Sequence, residues 1–149
     1  MTIQWKTLLA WAPVLLTALS ACASSGCGDG RAPTFPVSGQ VLVNGKPAEG
    51  AFVVFHPKDG GEKEKNVPRP YATTNAEGKF QLTTYEEEDG APAGNYRVSV
   101  VWRPVPKSRL EAEGPDKLKG KYSNPATSGL DAEIPKAPET VLKPFQLAR

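Results

Sequence analysis

The stretch Val37-Ser38-Gly39-Gln40-Val41-Leu42-Val43-Asn44-Gly45-Lys46-Pro47 decides how this chain folds. Val37, Val41 and Val43 fall on one face of an alternating run, the period-two signature of a strand with one buried side. Asn44-Gly45 then places side by side two residues that tolerate positive φ, the strongest short-range hairpin signal.

The same grammar continues downstream. Ala51 to Phe55 is a second β-type run, ending at His56-Pro57. Residues 58–70 carry four positive and three negative charges without apolar periodicity, and read as a solvated loop. Tyr71 to Thr74, the turn Asn75-Ala76-Glu77-Gly78, and Lys79 to Thr84 read as a second hairpin. There Phe80 and Leu82 face one way and Lys79, Gln81 and Thr83 the other. Tyr96, Val98 and Val100 share one face of a longer strand, with Trp102 returning to it; Arg97, Ser99 and Val101 take the opposite face. Residues 103–121 are loop-like and basic, and Leu130 to Ile134 and Thr140 to Leu147 read as two closing strands. Seven short strands at about 8–12-residue spacing predict an all-β fold, a seven-stranded antiparallel β-sandwich. The expected core is Phe52, Phe55, Phe80, Leu82, Tyr96, Val98 and Val100.

Composition agrees with this reading. Among 149 residues there are 14 Gly and 15 Pro, too many for a helical bundle. Lys and Arg number 18 against 16 Asp and Glu, and a formal charge of +2 does not predict a nucleic-acid partner.

Residues 1–21 read as an export signal. Lys6 supplies the positive start, Leu8 to Leu19 an apolar stretch broken by Pro13, and small residues lead into Cys22. The stretch is shorter than the ~20 apolar residues that span a bilayer. Leu19-Ser20-Ala21-Cys22 resembles the bacterial lipobox, whose Cys is lipidated and becomes the N-terminus after cleavage. Acylation at Cys22 predicts stable anchoring, since each buried methylene contributes roughly 0.8 kcal/mol. The expected location is therefore the cell envelope, at the outer membrane or the periplasmic face. Cutting near Ala23, or a Cys22–Cys27 disulfide, are the competing readings of the same residues. Residues 22–36 are rich in small residues, Gly and Pro, and read as a flexible tether to a domain spanning 37–149.

At the level of motifs, the chain resembles the carboxypeptidase regulatory-like, or transthyretin-like, domain. The residues that carry the resemblance are Val37-x-Gly39-x-Val41, Asn44-Gly45-Lys46-Pro47 and Gly50-Ala51-x-Val53-x-Phe55, then Thr74 to Phe80, then Gly94 to Val100. Asn75 stands where that family more commonly has Asp. Thr84-Tyr85, Asp89-Gly90-Ala91-Pro92 and Tyr122 with Asn124 to Leu130 resemble small planctomycete-type lipoproteins carrying the domain. The resemblance implies a Greek-key sandwich of the prealbumin type that serves as an accessory or binding module, without a shared catalytic residue or cofactor. A membrane held through the lipid anchor, and an envelope protein or polysaccharide, are the partners it implies.

Enzymatic readings meet a shortage of ligands. The lone His56 cannot supply the two His of an intradiol dioxygenase iron site or the paired His of a zinc carboxypeptidase. The tail Pro144 to Arg149 lacks the Tyr-Arg-Gly-Ser ending of the transthyretin-like hydrolase. A Ser–His–Asp arrangement would have to recruit His56 without a nucleophile-elbow motif. Glu86-Glu87-Glu88-Asp89 offers hard oxygen ligands, but no Asp-x-Asp-x-Asp-Gly loop surrounds it. The expectation is a non-catalytic module with no metal and no cofactor; the alternative is a metal-dependent or enzymatic envelope module using His56 or Glu86 to Asp89. Trp102 reads as core or edge packing, with a stacking platform for sugar as the alternative.

Overall fold

The alternation at residues 37–43 becomes a seven-residue strand in the computed structural model, with Val37, Val41 and Val43 buried. The structure describes residues 30–58, 67–104 and 114–149. The export signal, Cys22 and most of the tether lie outside the described residues, as do 59–66 and 105–113.

In chain order the strands are β1 (Thr34–Phe35), β2 (Val37–Val43), β3 (Lys46–Pro47), β4 (Ala51–Pro57), β5 (Tyr71–Thr73) and β6 (Lys79–Gln81). They continue with β7 (Ala91–Pro92), β8 (Gly94–Trp102), β9 (Asp131–Ile134), β10 (Thr140–Val141) and β11 (Phe145–Leu147). Among the described residues there is no helix, so the chain is all-β. One sheet is built on β2, with β6 and β3 antiparallel along one side and β10 and β11 parallel along the other. A second sheet runs β5-β4-β8-β9, antiparallel throughout, and β1 pairs with β7 separately.

The two larger sheets share one core. Phe55 of β4 packs edge-on against Phe145 of β11 at 6.3 Å and meets Phe80 of β6 at the same separation. Phe80 and Phe145 stack with only 8° between their planes. Each such pair adds about 0.5–1.5 kcal/mol to area burial. Gly39 makes room for this cluster, since a Cβ there would sit 2.5 Å from the Phe80 ring.

Turn chemistry matches the sequence where it is most explicit. Asn44 and Gly45 adopt φ of 51° and 75°, and Val43 pairs with Lys46 across the turn. Asn75 accepts the amides of Glu77 and Lys79 on its side-chain oxygen, closing the second turn.

Four expectations need correction. Phe52 is not core: Ala51, Val53 and Phe55 take the inward face of β4, which turns Phe52 outward at 44% exposure, where it meets Tyr71 at 5.9 Å. The second hairpin splits between sheets, because β5 pairs with β4 and β6 with β2; only the bridge between Tyr71 and Thr83 joins them. Buried Thr74 holds that divergence in place, accepting the Ala51 amide and donating to the Ala48 carbonyl. The closing stretch 140–147 breaks into β10 and β11, which run parallel to β2, so the fold is not antiparallel throughout. The ordered body also starts before residue 37, since Thr34 and Phe35 pair with Pro92 and Ala91. Within 103–121, the described residues 114–121 keep the loop character read from the sequence and bury Leu118.

Candidate functional site

An open groove of about 880 Å³ lies on the flank where the two sheets are bridged. It owes its existence to the split of β5 from β6. Ser38 and Gln40 on the outward face of β2, Lys79 and Gln81 of β6, Tyr71 of β5 and Val141 of β10 line it. Strand alternation explains the lining, because Val37, Val41 and Phe80 turn into the core and their neighbours turn out. The amide of Gln40 donates to the Glu77 carbonyl at 2.8 Å, which holds it across the groove wall. With its amide nitrogen turned toward Glu88, Gln81 donates to that carboxylate at 3.0 Å. Val141 is 74% exposed and Tyr71 is 45% exposed. The groove thus combines apolar and aromatic surface with neutral hydrogen-bonding groups and three charged side chains, Lys79, Glu87 and Glu88, the last two from the acidic run.

His56 is on the outward face of β4, and Ser99 of β8 lies beside it, with His56 Nε2 and Ser99 Oγ 2.9 Å apart. That distance suits a base and a nucleophile. The surrounding backbone does not suit acyl transfer. Val98 and Val100 donate their amides to Leu130 and Tyr122 carbonyls, and the Ser99 amide faces β4, opposite Val54 in the ladder. Ser99 is also buried at 6% exposure. The amides that would have to stabilise an oxyanion are already committed to the sheet.

The acidic run is divided among local tasks. Asp89 accepts the Thr84 amide at 2.6 Å and the Tyr85 amide at 3.0 Å, so both its oxygens close the loop. Glu88 sits at φ 58° and donates its amide to Thr83 Oγ1. Among the described residues, no group of three or more His, Cys, Asp or Glu is arranged to hold a metal ion.

Trp102 occupies the far end of β8. Its indole N–H donates to the Glu49 carbonyl at 2.8 Å, its backbone amide donates to Asp116, and Lys117 and Arg149 lie over its ring. This is edge packing of a particular kind, and the sequence reading of 103–121 missed Asp116 as its organiser. Burial pushes the Asp116 carboxyl up, but the amides of Leu118, Trp102 and Gly120, with Arg103 nearby, outweigh it and hold it below the usual carboxylate range. An Asp followed by Leu two positions on and Gly four positions on was the available signal, since Asp caps local amides.

Two of the sheet edges are poorly suited to strand addition by a partner. β9 carries Asp131 and Glu133 and is followed by Pro135; the β10–β11 edge is interrupted by Lys143 and Pro144. Charges and prolines of this kind block edge pairing.

No protein-family model and no curated protein matches the chain. Among solved structures, a 9R-lipoxygenase from Cyanothece PCC8801 resembles it at 14% identity and a TM-score of 0.40. That likeness covers 77% of this chain and 16% of the lipoxygenase chain, so this chain spans a small fraction of that protein. A likeness so distant carries no weight for fold family or chemistry.

Proposed function

We propose that this chain is an exported, lipid-anchored protein of the bacterial cell envelope whose β-sandwich is a non-catalytic binding module. The observation that carries the reading is the division of labour among its reactive side chains. Thr74, Asp89, Asp116 and Ser128 all have their polar atoms engaged by backbone groups, whereas the open groove is lined largely by neutral polar and apolar residues. Reactive groups consumed in holding the fold leave recognition as the task of the surface.

The finer fold assignment, a seven-stranded transthyretin-like Greek key, draws support from two features. Setting aside the two-residue pieces β1, β3 and β7, and taking β10 with β11 as one interrupted strand, leaves seven strands. The Tyr96 hydroxyl also donates to the Pro92 carbonyl four residues upstream, the tyrosine-corner arrangement of Greek-key sandwiches.

The test is capture from intact envelopes with the tagged full chain. Wild type retains an envelope protein or polymer that the Tyr71→Ala/Val141→Asp double variant releases. Equal recovery by wild type and a tag-only control contradicts the reading.

A further inference from the structure

We infer that the groove opened by the split of β5 from β6 binds an uncharged polysaccharide, an assignment that deepens the binding-module reading and rests on it. Three amide side chains in its lining are each fastened at one end by the protein and present the other. Gln40 Nε2 donates to the Glu77 carbonyl at 2.8 Å, which leaves Oε1 as an acceptor. Gln81, with its nitrogen donating to Glu88 at 3.0 Å, likewise offers Oε1. Asn75 Oδ1 accepts the amides of Glu77 and Lys79 at 3.1 and 2.9 Å, so its Nδ2 is left as a donor. Fixing one end of an amide orders the other before any ligand arrives, which lowers the entropy lost on binding. The Ser38 and Thr73 hydroxyls, which rotate to give or to accept, stand in the same lining.

This mixture of held acceptors and a held donor selects the ligand. A sugar hydroxyl both donates and accepts, so a row of hydroxyls satisfies both kinds of group together. Tyr71 supplies the apolar contact. It is 45% exposed, lies 5.9 Å from Phe52, and follows Pro70, which is fully buried and accepts the Phe55 amide at 2.8 Å. An exposed phenol ring offers its apolar body to the C–H face of a sugar and its hydroxyl to the polar edge.

Charge and backbone turn away the other polymers. Lys79 stands against Glu87 and Glu88, one cation to two carboxylates, which disfavours a polyanion. Tyr71 and Thr83 exchange amide hydrogen bonds at 3.0 and 2.9 Å, and the Asn75 amide donates to the Lys79 carbonyl at 2.8 Å. Both ends of the split are therefore closed, and an extended peptide finds no uninterrupted edge to pair with. Recognition falls to the side chains, and every residue of the lining lies within the described chain.

The experiment runs the full chain in detergent through native gels containing amylose, glucomannan, galactan or, as the anionic comparison, polygalacturonate. At least one neutral polymer retards wild type, and does so more strongly than polygalacturonate. Gln40→Ala/Gln81→Ala loses about tenfold in affinity, the size expected for two lost hydrogen bonds. Tyr71→Ala weakens the retardation and Tyr71→Phe keeps it, while melting temperatures report that each variant is folded. No retardation by any of the three neutral polymers overturns the assignment. So does retardation unchanged in Gln40→Ala/Gln81→Ala, or polygalacturonate acting as strongly as every neutral polymer. Capture of an envelope protein without neutral-glycan retardation sinks this site's ligand and leaves the binding-module reading standing. Release of shortened glycan by wild type does the reverse, contradicting the non-catalytic reading while the ligand class stands.

Discussion

The Tyr96 hydroxyl donates to the Pro92 carbonyl at 2.7 Å, spanning the corner where the chain passes from β7 into β8. Burial pushes the Tyr96 phenol up from 10.0 to about 12, with Tyr85 adding to the shift. The folded state therefore holds this proton more tightly than the unfolded chain. The resulting stabilisation is fully present below pH 10 and is lost as pH rises to about 12. Tyr96→Phe should lower stability at neutral pH by about 1 kcal/mol through the lost hydrogen bond. Urea unfolding across pH should show the gap between wild type and Tyr96→Phe narrowing over that alkaline window. A constant gap would mean that Tyr96 is not held in its protonated form by the fold.

Gly90 is a second corner requirement. Its φ is +87°, and a Cβ there would lie 1.8 Å from the Phe35 carbonyl oxygen, where β1 crosses toward β7. Backbone atoms cannot yield as a flexible side chain can. Gly90→Ala should cost about 2–4 kcal/mol, combining backbone strain and overlap. An unchanged melting temperature would show that β1 is not packed against this corner.

Asp116 anchors the basic turn. Its carboxyl is held below the ordinary value, so its contribution is present above the unfolded carboxylate range and is lost as pH falls through the folded pKa. Asp116→Ala should lower stability by about 1–3 kcal/mol by leaving the Trp102, Leu118 and Gly120 amides without their acceptor. The penalty should shrink in acid. Chemical denaturation at neutral and acidic pH checks both parts.

The His56–Ser99 pair is expected to be structural. Wild type should hydrolyse p-nitrophenyl acetate at the buffer rate, and Ser99→Ala should lose only about 1 kcal/mol of stability. Activity above buffer that disappears in both His56→Ala and Ser99→Ala would restore the catalytic alternative.

Calcium should leave the melting temperature unchanged, because Asp89 uses both oxygens on the Thr84 and Tyr85 amides. Glu86→Gln/Glu87→Gln should stay within about 0.5 kcal/mol of wild type, whereas Asp89→Ala should cost about 1–2 kcal/mol. A calcium-dependent rise in melting temperature, abolished by Glu86→Gln/Glu87→Gln, would restore the metal alternative.

What was legible in the sequence follows from the range of the interactions. Strand alternation at Val37 to Val43 and the Asn44-Gly45 turn are local, and the structure matches them. Phe52 was misplaced because size favoured burial, while the parity of Ala51, Val53 and Phe55 decided the face. The parallel course of β10 and β11, and the departure of β5 from β6, depend on which sheet each segment reaches; a single chain's periodicity does not encode that choice. The groove arises from that departure, so it too was illegible. Trp102 was legible as a packing residue at the end of a strand, core or edge, but Arg149 reaches it across 47 positions of sequence, beyond any local pattern.

The measurement that tests the account most directly is the intact mass of the native protein from its membrane fraction. The account predicts a chain beginning at Cys22 and carrying acyl groups. An unmodified chain cut elsewhere, recovered outside the membrane fraction, would contradict it.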